Sequence, residues 1–234
     1  MNLMNSKKDF VIALDGPSAS GKSTLGERLA NSLNFIYLDT GVMYRAVTLA
    51  VLNMGVDVSD EDAVSRIAEK LDLDVRPPSI ADGRSNDIIL NDDDVTWTIR
   101  TAEVEKNVSQ VSAYSRVRQA MTRIQRRIGK RGNVVMVGRD IGTVVLPDAE
   151  IKLYLDASAE ERARRRFLEL RKRGKDVEYK DILQDMIKRD QFDSSRPIAP
   201  LKPAEDAIII NSDDMNADEV FQRIMGLLNE FHKD

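Results

Sequence analysis

The 234-residue chain contains no cysteine and a single histidine. Without cysteine there is no disulfide, no thiolate-held zinc, no iron–sulfur cluster and no thiol nucleophile. His232 lies among the last residues and is expected to be a solvated surface group. Serine–histidine hydrolysis and histidine-rich metal chemistry are thereby excluded. Long apolar runs are missing too. No stretch reaches the roughly 18 apolar residues of a membrane-spanning helix, so no membrane association is expected. The first residues, MNLMNSKKDF, lack the apolar segment of a secretory signal, and a cytoplasmic location is expected. Chemistry is left to Lys, Arg, Asp, Ser, Thr and a hard metal ion.

Lysine and arginine number 35 against 39 acids, a net charge of −4 that argues against a general nucleic-acid binder. The charges are segregated, however. Between Arg116 and Arg131 seven basic residues occur without an acid. A second basic run extends from Arg162 to Lys175, while acids concentrate between Asp57 and Asp94. A charge run is usually a solvated helix face. Two arginine-dense helices in an acidic chain are also what an internal polyanion site requires. A phosphate-binding motif decides between these readings.

Five short apolar runs read as strands: Phe10–Leu14, Phe35–Leu38, Val134–Val137, Ile151–Leu155 and Ala207–Ile210. Their near-continuous apolar character predicts a parallel sheet covered on both faces. Helical patterns separate them, which makes the fold class α/β. One helix follows Gly21 with Leu25, Leu29 and Leu33, and another begins near Gly41 with Tyr44, Val47 and Val51. A long apolar stripe runs from Val104 to Ile128. Ser158 and Glu161 form a capping-box pattern for a helix over Ala159–Lys172. Gly174 breaks it, Tyr179–Asp193 resumes, and a last helix covers Ala217–Phe231. Between Leu73 and Thr98, Pro77-Pro78 and Asp82-Gly83 signal turns. Ile88–Leu90 and Val95–Trp97 there read as short strands of a small antiparallel insertion.

The run Gly16-Pro17-Ser18-Ala19-Ser20-Gly21-Lys22-Ser23 fits G-x-x-x-x-G-K-[ST] between a strand and a helix. Its glycines let backbone N–H groups converge on phosphate oxygens, and the helix N-terminus favours negative charge. Lys22 can reach the β- and γ-phosphates, and the Ser23 hydroxyl can bind Mg²⁺. No Asn-Lys-x-Asp guanine reader is present. After Val134–Val137 comes Gly138-Arg139-Asp140, where an arginine suggests a second anion rather than an attacking water. On the segment 182–196, Ile182, Met186, Arg189, Asp193 and Arg196 share one helical face, so a core stripe turns charged at its end. A local Arg189–Asp193 ion pair is the simple alternative. The functional one is two arginines and a carboxylate facing a cleft.

Further matches lie at Leu38-Asp39-Thr40-Gly41, Tyr44-Arg45, Ser109-Gln110-Val111, Arg116-Val117-Arg118 and Gly138 to Thr143. With the phosphate loop (including Asp15 and Thr24), Arg189-Asp190, Asp193, Arg196 and Ala199-Pro200-Leu201, they resemble the cytidylate kinase family of bacterial nucleoside monophosphate kinases. The resemblance spans nearly the whole chain. It implies a single P-loop kinase domain with a five-stranded parallel core flanked by helices. Residues 73–98 would form the monophosphate-binding insertion and 160–196 a helical lid. It also implies transfer of the γ-phosphoryl group of ATP to CMP or dCMP. A kinase acting on UMP, or on another small anionic acceptor, is the alternative. A monomer is expected.

The resemblance makes Lys22, Arg139, Arg189 and Arg196 the catalytic set. Gly16 to Thr24 would bind ATP with Mg²⁺ at Ser23, and of the lid arginines Arg162, Arg165 and Arg166, Arg165 is assigned to ATP. Arg45, Arg139, Arg189 and Arg196 would grip the CMP phosphate. Thr40 supplies a hydroxyl where relatives often have serine, and Asp193 would hold the ribose. Cytosine offers an amino donor, which Asp140 can accept, and two acceptors, to which Ser109 and Arg118 can donate. In one straight helix Ser109 and Arg118 point oppositely. Both reach one base only if the helix breaks near Ala113–Ser115, where Ser115 replaces a proline common in relatives.

Overall fold

The computed structural model describes residues 10–231. His232 lies outside them. The five expected strands form one parallel sheet: β1 (Val11–Asp15), β2 (Ile36–Asp39), β6 (Val134–Val137), β7 (Ile151–Asp156) and β8 (Ile208–Asn211). Their order is β2-β6-β1-β7-β8, which puts β1 at the centre with a neighbour on each edge.

Alternate side chains of these strands enter two separate cores, as the two-residue period of a strand requires. Ala13, Leu38, Val134 and Met136 face the first core. There they meet α2 (Gly41–Asn53), α3 (Glu61–Lys70), α4 (Ala102–Val111) and α5 (Ser115–Gly129). Ile12, Leu14, Val135 and Val137 face the second core, with Leu25 and Leu29 of α1 (Lys22–Leu33) and Phe221, Ile224 and Leu228 of α8 (Ala217–Phe231). Ile12, Ala13 and Leu14 are fully buried, which explains why the run reads as continuously apolar. No helix among the described residues is long and apolar enough to cross a membrane.

No helix is expected at α3, whose apolar face is short. Asp60 starts it, accepting the Ala63 N–H at 2.9 Å. The insertion is an antiparallel sheet of β3 (Leu73–Arg76), β4 (Asp87–Leu90) and β5 (Asp93–Asp94). Leu73, Val75, Ile88 and Leu90 bury themselves in the first core. The strand expected at Val95–Trp97 is displaced to Asp93–Asp94. Asn91 and Asp92 adopt positive φ and make the turn, so pairing resumes immediately after it. Thr96 is then held by Asp94 and leads into a 3₁₀ turn at Thr98–Arg100. Arg84, only 5% exposed, is clasped by Asp82, Asp87 and Asp94 at 2.6–2.9 Å.

The stripe from Val104 to Ile128 is interrupted. Residues 112–114 separate α4 from α5, and Tyr114 is extended (φ −66°, ψ 128°). Its hydroxyl donates to the Val58 carbonyl at 2.7 Å and anchors the break without a proline. The remaining helices are α6 (Ala159–Lys172) and α7 (Tyr179–Ser194), separated at Gly174 with φ 72°. Half of the expected capping box forms: Ser158 Oγ accepts the Glu161 N–H at 3.2 Å. The Ser158 N–H goes to Asp213 instead, because Glu161 is engaged by Arg164 and Arg165.

Candidate active site

The C-terminal ends of parallel strands, next to the point where strand order reverses, are where α/β sheets bind ligands. Here β1 ends in the phosphate loop. Gly16 has φ 149°, and a Cβ on it would lie 2.2 Å from the Leu155 carbonyl oxygen. Only glycine fits. Gly21, with φ 96°, caps α1 and turns its first N–H groups toward the loop. Lys22 folds back, its Nζ donating to the Pro17 carbonyl and to Ser20 Oγ. Burial, aided by the charge of Arg139, pushes its ammonium down to about 7. Ser23 Oγ donates to Asp39 Oδ2 at 2.7 Å, and Asp39 Oδ1 accepts the Gly41 N–H. Thr24 lies exposed in the first turn of α1. Asp15, 3% exposed, accepts the N–H groups of Ile141 and Gly142 at 2.8 and 2.7 Å. Burial pushes its carboxyl up to about 6.

Opposite the loop, six segments bring arginines and acids together. Arg118 of α5 and Asp140, after β6, form a buried ion pair, each 5% exposed. Arg118 also donates to the Ser112 carbonyl at 3.1 Å, and its guanidinium lies 5.4 Å from the centre of the Tyr44 ring. The break at residues 112–114 thus sits directly on the arginine. Ser109 is half-buried near the end of α4, where its carbonyl accepts the Ser112 hydroxyl at 3.0 Å. Thr40 is buried and donates to the Val137 carbonyl at 3.0 Å.

Asp193 of α7 lies between Arg139 and Arg196 and is ion-paired with both. The local ion pair with Arg189, the simple alternative, does not form. The longer-range partners take the carboxylate, and Arg189 turns instead toward Glu105, with Nη1 3.7 Å from its Oε1. The other Glu105 oxygen pairs with Arg45. The helical face of Met186, Arg189 and Asp193 thus becomes charged toward its C-terminal end, with Arg196 just beyond the end of α7. Burial and the neighbouring Arg139 push Arg189 down to about 10, and burial pushes Arg196 down as well. The Nε groups of Arg189 and Arg196 are buried without a hydrogen-bond partner, whereas Arg139 directs its Nε at Asp193. Buried donors in this state cost free energy that an anion would recover.

The three lid arginines take different partners. Arg165 binds Glu161 and Ser212 rather than the phosphate loop. Arg162, 3% exposed, is the one that reaches the loop, donating to the Ser18 carbonyl at 3.0 Å and pairing with Asp190 of α7. Arg166 pairs with Glu169 at 2.9 Å. Glu105 carries no signature a motif would flag, and its partners Arg45 and Arg189 lie far away in the chain. Asp15 belongs to the phosphate-loop motif, but its hold on Ile141 and Gly142 has no local signal.

A phosphate loop and a cluster of buried and half-buried arginines at the C-terminal ends of one parallel sheet are an arrangement suited to phosphate groups. The chain belongs to the cytidylate kinase family, whose model matches residues 12–230. It is 52% identical over 217 residues to the cytidylate kinase of Herpetosiphon aurantiacus, covering 93% of each chain. It is 51% identical over 210 residues to that of Chloroflexus aggregans, covering 89% of this chain and 90% of the relative. Among solved structures it is similar to a shikimate kinase from Bacteroides thetaiotaomicron (TM-score 0.48, 13% identity, 95% and 99% covered). The enzyme is a nucleoside monophosphate kinase.

Proposed function

We propose that the enzyme transfers the γ-phosphoryl group of ATP to CMP or dCMP, giving ADP and CDP or dCDP. The observation that carries this reading is the convergence of Arg139, Arg189 and Arg196 around Asp193 and Glu105, with the buried Nε donors of Arg189 and Arg196 left without partners. A monophosphate oxygen is already an anionic nucleophile. No strong base is needed, and positioning with charge neutralisation supplies the catalysis. Arg45, Arg139, Arg189 and Arg196 hold the acceptor phosphate and the group in transfer. Lys22 and the loop N–H groups hold the donor phosphates.

Asp140 accepts the cytosine amino group, while Arg118 and Ser109 donate to its acceptors. Uracil would present an oxygen to the carboxylate, and mispaired buried polar groups are costly. Asp193 faces the ribose. Among the described residues no cluster of three or more acids or histidines is arranged to hold a metal ion. The Ser23 hydroxyl beside the Asp39 carboxylate is a hard-oxygen pair that fits Mg²⁺ arriving with the nucleotide. Bound there, Mg²⁺ would neutralise phosphate charge. Residues 73–98 serve as the monophosphate-binding insertion and residues 160–196 as the lid.

ATP-dependent phosphorylation of CMP, dCMP, UMP and AMP, followed by product chromatography, tests the assignment. CMP and dCMP should be turned over with the highest kcat/KM. Equal or better use of UMP or AMP overturns it.

A further inference from the structure

Glu105 belongs to none of the roles assigned above, yet it occupies the arginine pair at the mouth of the acceptor cleft. It lies in the first turns of α4 and reaches across to α2 and α7 at once. One carboxylate oxygen pairs with Arg45 and the other faces Arg189 at 3.7 Å. Two oxygens on one planar group, each directed at a different guanidinium, are the arrangement a phosphate presents to the same arginines. Burial opposes the ionised form, but the charges of Arg45 and Arg189 outweigh it and hold the carboxyl below its ordinary range.

The other cleft acid that bridges two arginines behaves differently. Asp193 is short and 1% exposed, locked between Arg139 and Arg196. The Glu105 side chain is 46% exposed and has one more methylene, so it can leave toward water without opening the core. The cleft thus holds one fixed acid and one that can be displaced. Facing Glu105 are Arg45 from α2, Arg189 from α7 and, farther off, Arg166 from α6.

We propose that Glu105 is an internal placeholder anion. It holds Arg45 and Arg189 together in the free enzyme and is displaced by the acceptor phosphate. This rests on the reading that the two arginines take the CMP phosphate. Part of the phosphate's binding energy is then spent on displacing the carboxylate. A free inorganic anion, with no base or ribose contacts, competes poorly for the pair. A nucleotide, anchored by its base, competes well. Glu105 sets acceptor affinity and excludes loose anions.

The test is calorimetric titration of the full-length wild type, Glu105→Gln and Glu105→Ala with CMP, cytidine and sodium sulfate, alongside steady-state KM values. Removing the carboxylate should tighten CMP about three- to tenfold and lower its KM in step. Cytidine affinity and the KM for ATP should not change, and sulfate should become a stronger competitor of CMP. Unchanged or weaker CMP binding in both variants, with cytidine binding intact, overturns the placeholder role and makes Glu105 a support for the arginines. A wild type that binds CMP no better than cytidine defeats the acceptor-site assignment itself, and the placeholder with it.

Discussion

Asp15 Oδ1 accepts the backbone N–H of Ile141 at 2.8 Å. The strand that ends in the phosphate loop thereby holds the turn that carries Arg139 and Asp140. One carboxylate ties the phosphate loop to the turn that follows β6.

Asp15→Asn keeps one acceptor oxygen but sets an amide donor against the second N–H. The acceptor turn should loosen, and kcat/KM for CMP should fall by at least about tenfold, the scale of losing a buried charged hydrogen bond. The pH dependence has a definite sign. Burial holds the folded-state carboxyl up at about 6, above its ordinary value of 3.8. Its contribution to stability is therefore complete below 3.8 and is lost as pH rises through about 6. The stability gap between wild type and variant, from urea melts, should narrow across that window. A constant gap would contradict the assignment.

Lys22, with its ammonium held down to about 7, is only partly charged in the free enzyme near neutrality. A polyphosphate beside it favours the charged form. ATP binding at neutral pH should therefore take up protons, seen as an enthalpy that varies with buffer ionisation heat. Lys22→Met should abolish most of that variation, and Lys22→Ala should cut turnover by two or more orders of magnitude. Buffer-independent enthalpy in the wild type would refute the proton uptake.

Asp140→Asn replaces an acceptor by a group that both donates and accepts. The ratio of kcat/KM for CMP over UMP should fall by at least about tenfold. An intact ratio would leave Arg118, rather than Asp140, as the reader of the base.

Arg189 and Asp193 lie one helical turn apart and should respond oppositely. Asp193→Ala strips the shared carboxylate from two arginines and should cost about 3–5 kcal/mol in urea-melt stability. Arg189→Ala loses a partly exposed, 3.7 Å ion pair and should cost less than about 1 kcal/mol. Its turnover should still drop on the order of a hundredfold or more. A large stability loss for Arg189→Ala would return that residue to a structural role.

The strands were legible because each is an apolar run, and all five lie within one residue of the expected bounds. The error has a direction. β1, β2, β7 and β8 each run one residue further, onto Asp15, Asp39, Asp156 and Asn211. The ladder continues after the apolar character stops, because the strand ends there open into a polar cleft. The phosphate loop was legible as local chemistry. The break between α4 and α5 was legible as a requirement of two side chains reaching one base, but not as a pattern. It is fixed by Tyr114 bonding to Val58, a partner 56 residues away. The pairing of Glu105 with Arg45, and which of Arg162, Arg165 and Arg166 touches the phosphate loop, were not legible, since each depends on how helices far apart in the chain pack together.

Leu14 of β1 and Val137 of β6 are direct partners in the ladder. The phosphate loop leaves one strand immediately beyond this pair, and the turn carrying Arg139 and Asp140 leaves the other. The two segments therefore start side by side at the interstrand spacing of about 4.8 Å, a length set by backbone hydrogen bonding. Substitutions on the outer helices leave that starting offset unchanged.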